Sequence, residues 1–396
     1  MIVTLALYAA PAVAQGDQRQ RLTLRWRDGV AGAATPILRT AVFEANPAGL
    51  PVRVQRGVPQ ALTLQNALDI PVALHWRGLR AGLGTTGMAD IVIEPSAAID
   101  VDLTAPDSGL LLLETRSTGT APASLHAVLP VLVAEAEPGA IPEVVVLIGE
   151  TGPDESGKAV FVANDQTDLT LPVAVGVPLL LRCANISRQT PFLLIVDGAA
   201  AAMVGLDSQP IDAATPWPEG GAPLLPGTRC DLMLAGLPSE GGAIRLLVDD
   251  GAGPRPIGRV VAAQPAPPNG PVAPIMPPPN PALPTSLDLA GAVRSDVIIG
   301  ETQGPGLLTA DVGATIVLRL VNRTAEPAIV HLRGQTARIL HALDDGWEPY
   351  WTDTLLVMPQ SEQLVAFMPT VVGEWRIEMT KPDSEAPPTI TAFTVR

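Results

Sequence analysis

The sequence predicts an all-β protein made of three sandwich domains in a row. Three observations lead there. First, a unit of two strand-like runs joined at a Gly and closed by an Asn occurs three times: "LPVRVQRGVPQALTLQN" (50–66), "LTLPVAVGVPLLLRCAN" (169–185) and "LLTADVGATIVLRLVN" (307–322). Second, apolar and polar residues alternate within these runs, the period of a half-buried strand. Third, the composition is 47% hydrophobic but only 3% aromatic, with 36 Gly and 42 Pro punctuating short Val- and Leu-rich stretches. That is turn-rich β-structure, and it is too apolar for a disordered chain.

Each element of the repeat has a physical reason. Gly57, Gly176 and Gly313 permit the tight turn between the two strands, and Asn66, Asn185 and Asn322 support the bend that ends the second. The spacing of about 120 to 140 residues is too long for a solenoid and suits three copies of one β-sandwich. The Pro-rich stretch 262–287 reads as a linker before the third copy, and "AEAEPGAIPE" marks a weaker boundary before the second. The expected organisation is therefore domain one over 15–137, domain two over 138–261, the linker, and domain three over 288–396.

Residues 1–14, "MIVTLALYAAPAVA", are apolar and end in Ala-x-Ala, like the core and cleavage site of an export signal, although the basic leader is missing. A first strand is the other reading. Export implies a periplasmic or secreted protein with no membrane span in the mature chain, since every later apolar run is broken by Pro, Gly or charge. The formal net charge of −15 argues against nucleic-acid and anionic-membrane partners, which need a basic face. Cys183 and Cys230 suit an oxidising compartment, either as a bridge or as two buried thiols. Phosphate loops, nucleophile elbows and paired-cysteine zinc spacings are absent from the sequence.

Two of the chain's four histidines sit in matching phrases, "ALHWRG" (73–78) and "IVHLRG" (329–334), each with Arg two residues after His. With "PGTRCD" (226–231), "WTDTLLVMP" (351–359) and "GEWRIEMT" (373–380), these phrases in this order resemble the three-domain multicopper oxidases over nearly the whole chain. The resemblance implies three cupredoxin-like Greek-key sandwiches and a copper cluster between the first and third. In that family the two phrases read His-Trp-His-Gly and His-Pro-x-His-Leu-His-Gly, and the chain ends near Gly-x-Trp-x-x-His-Cys-His.

By that match most ligand positions are replaced. Met379 stands where the copper-binding thiolate belongs and Ala328 where its partner imidazole belongs, which removes the electron-accepting copper. Arg77, Glu114, Arg116, Arg333, Glu378 and Thr380 occupy cluster positions. Only His75 and His331 remain, at the positions of the one cluster copper that needs two protein ligands. The family grouping implies that Arg77 lies near Glu114, and Arg116 and Arg333 near Glu378, as ion pairs stapling domain one to domain three in place of metal. His126 and His341 match no ligand position.

The resulting expectation is a non-catalytic, multicopper-oxidase-like pseudoenzyme with no cofactor, acting as an exported scaffold or protein-binding module whose partner is another protein. Copper-free members of the family, among them a periplasmic cell-division scaffold, are similar in this respect. The alternative is a copper-binding protein, or a residual oxidoreductase, holding one copper ion at His75 and His331; those imidazoles equally suit a packing role.

Overall fold

A computed structural model of the chain describes residues 19–28, 39–46, 51–80, 90–117, 125–135, 141–153, 158–265, 276–301, 306–342, 346–384 and 386–396. The signal-like segment 1–14 and the middle of the Pro-rich stretch lie outside the described residues. The described chain is β-structure throughout, in six sheets that pair into three sandwiches. Among the described residues no helix is long and apolar enough to cross a membrane.

In the first sandwich, one sheet runs Arg39–Asn46, Gln20–Asp28, Gln60–Asn66, Ala98–Leu103. The other runs Val52–Gln55, Val128–Ala134, Gly109–Ser117, Val72–Arg77, Ile91–Ile93. The second and third sandwiches repeat this plan. In each domain both sheets contain one parallel pair: Gln20–Asp28 with Gln60–Asn66 and Val52–Gln55 with Val128–Ala134 in the first; Glu143–Pro153 with Leu179–Asn185 and Leu169–Ala174 with Arg255–Gln264 in the second; Val293–Ile299 with Ile316–Asn322 and Thr309–Ala310 with Thr389–Val395 in the third. Parallel neighbours cannot be joined by a tight hairpin, so the chain must cross between sheets, as a Greek key does. The strand Arg255–Gln264 runs past residue 261, the expected end of domain two.

The repeated Gly and Asn have the same geometry in all three copies. Gly57, Gly176 and Gly313 adopt φ of 72°, 73° and 80° in open space, so backbone handedness rather than crowding demands Gly. Each Asn is buried and closes a local turn. Asn185 Nδ2 donates to the carbonyls of Thr190 (3.0 Å) and Leu224 (2.8 Å), and its Oδ1 accepts the Ser187 amide at 2.8 Å. Asn66 bonds the Ile70 and Ile93 carbonyls and the Leu68 amide in the same way, and Asn322 those of Glu326, Val357 and Thr324. A buried amide with its donors and acceptor satisfied fixes where the next strand departs.

The apolar side chains of the first and third sandwiches form one contiguous buried cluster, while the second has its own. Leu283, Leu287 and Leu289, on the C-terminal side of the linker, pack with Val317, Leu340 and Trp351 of the third sandwich. The first and third domains therefore share a seam, and the candidate site lies on it.

Candidate functional site

His75 lies on Val72–Arg77, flanked on both sides by other strands of its sheet. His331 lies on Ala328–Leu332, the corresponding strand of the third sandwich. Side chains two apart on a strand point to the same face, so His75 with Arg77 and Glu114 with Arg116 share one side of their sheet. The register completes the arrangement: His75 pairs with Glu114 and His331 with Glu378. The interval of two therefore puts Arg on the same face of its sheet as His in both phrases.

At the seam the two imidazoles meet edge to face, with ring centroids 5.6 Å apart and an interplanar angle of 89°. Both are buried. His331 Nδ1 donates to the Asp353 carbonyl at 3.1 Å, which leaves Nε2 as a lone-pair acceptor without a hydrogen-bond partner. Neither ring nitrogen of His75 has one, and the nearest carboxylate oxygen, on Asp90, is 3.8 Å from Nδ1.

The charged residues form a chain around the rings. Arg77 Nε donates to Glu114 at 2.7 Å. Arg116 grips Glu378 with both terminal nitrogens, at 2.8 and 2.5 Å, and this fork crosses from domain one to domain three. Arg333 donates to Glu378 at 3.1 Å and to Asp90 at 2.6 Å, the latter also crossing the seam. All the pairs implied by the family match are present, with one correction. Arg77 and Glu114 both belong to domain one, so their pair does not staple the seam. Arg77 instead lies against domain two, so close to Gly227 that a Cβ there would meet its guanidinium at 2.6 Å.

Electrostatics follow from burial and these neighbours. Burial, reinforced by Arg116, Arg333 and Arg77, holds His75 well below the usual histidine range. Burial, with Arg77, lowers His331 to about 4. Both are therefore neutral near neutral pH. Burial alone would raise Glu378, but Arg116 and Arg333 outweigh it and hold the carboxyl at about 2. The same contest, won by Arg77, lowers Glu114.

The donor set does not fit the copper centres of an oxidase. Met379 and Ala328 face away from the seam into the apolar core, Met379 in register with Val330, so no thiolate or imidazole stands there. At the cluster positions Arg116 and Arg333 are committed to Glu378, and Glu114 to Arg77, and three guanidinium groups repel a cation. Thr380 lines a cavity beside them. Among the described residues no group of three or more His, Cys, Asp or Glu is arranged to hold a metal ion. The unpartnered nitrogens of His75 and His331 are the only feature of the donor set that points the other way.

Cys183 and Cys230 lie elsewhere, in the core of domain two. They are in register on neighbouring antiparallel strands and buried as free thiols. Partners so placed lie about 4.5–5.5 Å apart at Cα, a span a bridge could close. His126 is half-buried between domains, with Nε2 2.8 Å from the Ile186 carbonyl.

Sequence reasoning missed three sets of partners. Asp90 belongs to no phrase, yet it holds Arg333. Asp207 and Asp353 enclose Arg229 at the seam between domains two and three: Arg229 reaches Asp353 at 2.7 and 3.1 Å, and Asp207 accepts from Thr352 Oγ1 and the Asp353 and Arg229 amides. Arg80 and Asp107 form a bidentate pair that Gln209 and Asn280 also bond. Only Arg229 and Asp353 gave a signal, because they stand inside the quoted phrases.

No protein-family model matches the chain, and no curated protein matches it by sequence. Solved structures do. A multi-copper oxidase from Pseudomonas thermotolerans superposes with a TM-score of 0.80 at 22% identity, covering 95% of this chain and 98% of its own. One from Pseudomonas parafulva gives 0.77 at 20% identity, covering 96% and 100%. The McoA multicopper oxidase of Aquifex aeolicus gives 0.74 at 16% identity, covering 96% of each. The chain thus has the fold of the multicopper oxidases, three cupredoxin sandwiches, over nearly its full length.

Proposed function

We propose that this is a non-catalytic protein on a multicopper-oxidase scaffold, exported to the periplasm or beyond, which works by binding another protein. What carries the reading is the fork of Arg116 on Glu378 across the first and third sandwiches. Cluster positions that would need neutral imidazoles hold a closed set of ion pairs. Such pairs keep two domains in register without redox chemistry. The partner is unspecified by any side chain, and the scaffold role rests on likeness to copper-free proteins of this fold.

A second reading has its own observation. His75 and His331 present buried, unpartnered ring nitrogens across a gap of 5.6 Å between centroids. They would be the ligands of a single copper ion, softly bound because no third donor adjoins them.

The test is metal loading of the purified full chain. After incubation with copper and dialysis, the scaffold reading expects far less than one copper per chain, no blue colour and no oxidation of a phenolic substrate. One equivalent that disappears in His75→Ala would establish the second reading instead. Blue absorption or laccase-like turnover would overturn both.

A further inference from the structure

The chain has two cysteines, and domain two holds them together. Cys183 and Cys230 stand directly opposite each other on Leu179–Asn185 and Arg229–Leu234, the two central strands of a six-stranded sheet. Both side chains are buried in the domain core, and the two thiols are hydrogen-bonded to each other. We propose that this pair is a covalent modification site: a disulfide donor oxidises it while domain two is open, and folding then seals the bridge between the two central strands.

Register carries the first part of the argument. The two strands pair without a shift over their whole contact, so both sulfurs stay on the core face. The Asn185 amide donates to the Thr228 carbonyl at 3.0 Å, and the pair two positions along is Cys183 with Cys230. That makes it a hydrogen-bonded cross-strand pair, with a Cα separation of about 5.5 Å, inside the range that disulfides span. No side chain has to be displaced to join sulfurs already in contact.

Sealing carries the second part. The hydrogen bond with Cys183, together with burial, pushes the Cys230 thiol well above the ordinary cysteine range. The attacking species in exchange is the thiolate, so the closed pair is inert and reaction needs an open domain. There one cysteine thiolate attacks the donor disulfide, forms a mixed disulfide and expels one donor thiolate. The second cysteine thiolate attacks the protein sulfur of that intermediate and expels the other. The cysteines lose two electrons and two protons, and the donor is reduced to two thiols. That such a donor meets the chain in the cell rests on the proposed export; the fit of the two sulfurs does not.

The experiment compares the full purified chain, folded and in denaturing urea, equilibrated in mixtures of reduced and oxidised glutathione. Reduced and bridged starting material must reach the same ratio, read after acid quenching from the loss of two hydrogens in the intact mass. The equilibrium should lie at least about a hundredfold further toward the bridge in the folded chain, because a bridge the native strands accept stabilises the fold by the same factor. The folded thiols should also react with oxidised glutathione at least about tenfold more slowly than those in urea. An equal or smaller constant in the folded chain, a mixed disulfide as its main product, or equal rates would each overturn the proposal. Both measurements use purified chain, so neither bears on export, copper or a protein partner.

Discussion

Replacing Glu378 with Gln should weaken the molecule in a way that depends on pH. Glu378 is buried and faces Arg116 and Arg333, with Asp90 the only other carboxylate on Arg333 among the described residues. Its carboxyl falls from an ordinary 4.5 to about 2, which corresponds to about 3 kcal/mol favouring the charged, folded form. A carboxyl depressed in the folded state contributes stability above its unfolded value, about 4.5, and loses it as pH falls through about 2. Glu378→Gln should therefore lose about 3 kcal/mol near neutrality but only about half of that at about pH 3, so the two proteins converge in acid. Urea unfolding at both pH values would measure this, followed by tryptophan fluorescence and near-UV dichroism. Buried Trp76 and Trp375 lie on the strands of His75 and Glu378, and coincident curves license the free energies. A deficit that is the same at both pH values, or absent at neutrality, would refute the claim that the seam is held by this charge.

Arg229→Met leaves Asp207 and Asp353 buried against each other without their shared cation, and should cost about 3–5 kcal/mol in thermal or denaturant unfolding. His75→Leu removes two unpartnered ring nitrogens from the core; in chelator-treated protein it should be neutral or stabilising by about 1 kcal/mol, and a clear loss of stability would mean the ring has a ligand. Asn185→Ala removes two donated bonds and the Ser187 turn in domain two, and should cost about 2–3 kcal/mol in urea.

How far the sequence could be read depended on whether a signal was local. Asn66, Asn185 and Asn322 were legible because each closes its own turn with bonds to residues two to five positions on, so the same constraint writes the same letters three times. His75, Arg77, His331 and Arg333 were legible because strand periodicity places each pair on one face. Their glutamate partners could be named only through likeness to a known ligand grouping. Asp90 could not, since nothing near it in sequence reveals that docking brings it to Arg333, some 240 residues away. Nor could Asp107 or Asp207, whose partners Asn280 and Thr352 come from the linker and the third domain. The role of the Arg77–Glu114 pair as a staple of the seam was misjudged for the same reason. Its neighbour Gly227 comes from the second sandwich, and no strand period reports contacts between sandwiches.

Asn280 bonds Asp107 at 2.6 Å and Gln209 at 2.7 Å, so the connector is clasped by both of the domains that precede it. With Arg229 on Asp353 and Arg116 on Glu378, the third sandwich is fastened to its neighbours at sites far from any peptide bond that joins them. A protease cut just ahead of Asn280 would thus yield two polypeptides that still migrate as one particle, and only a denaturant would separate them.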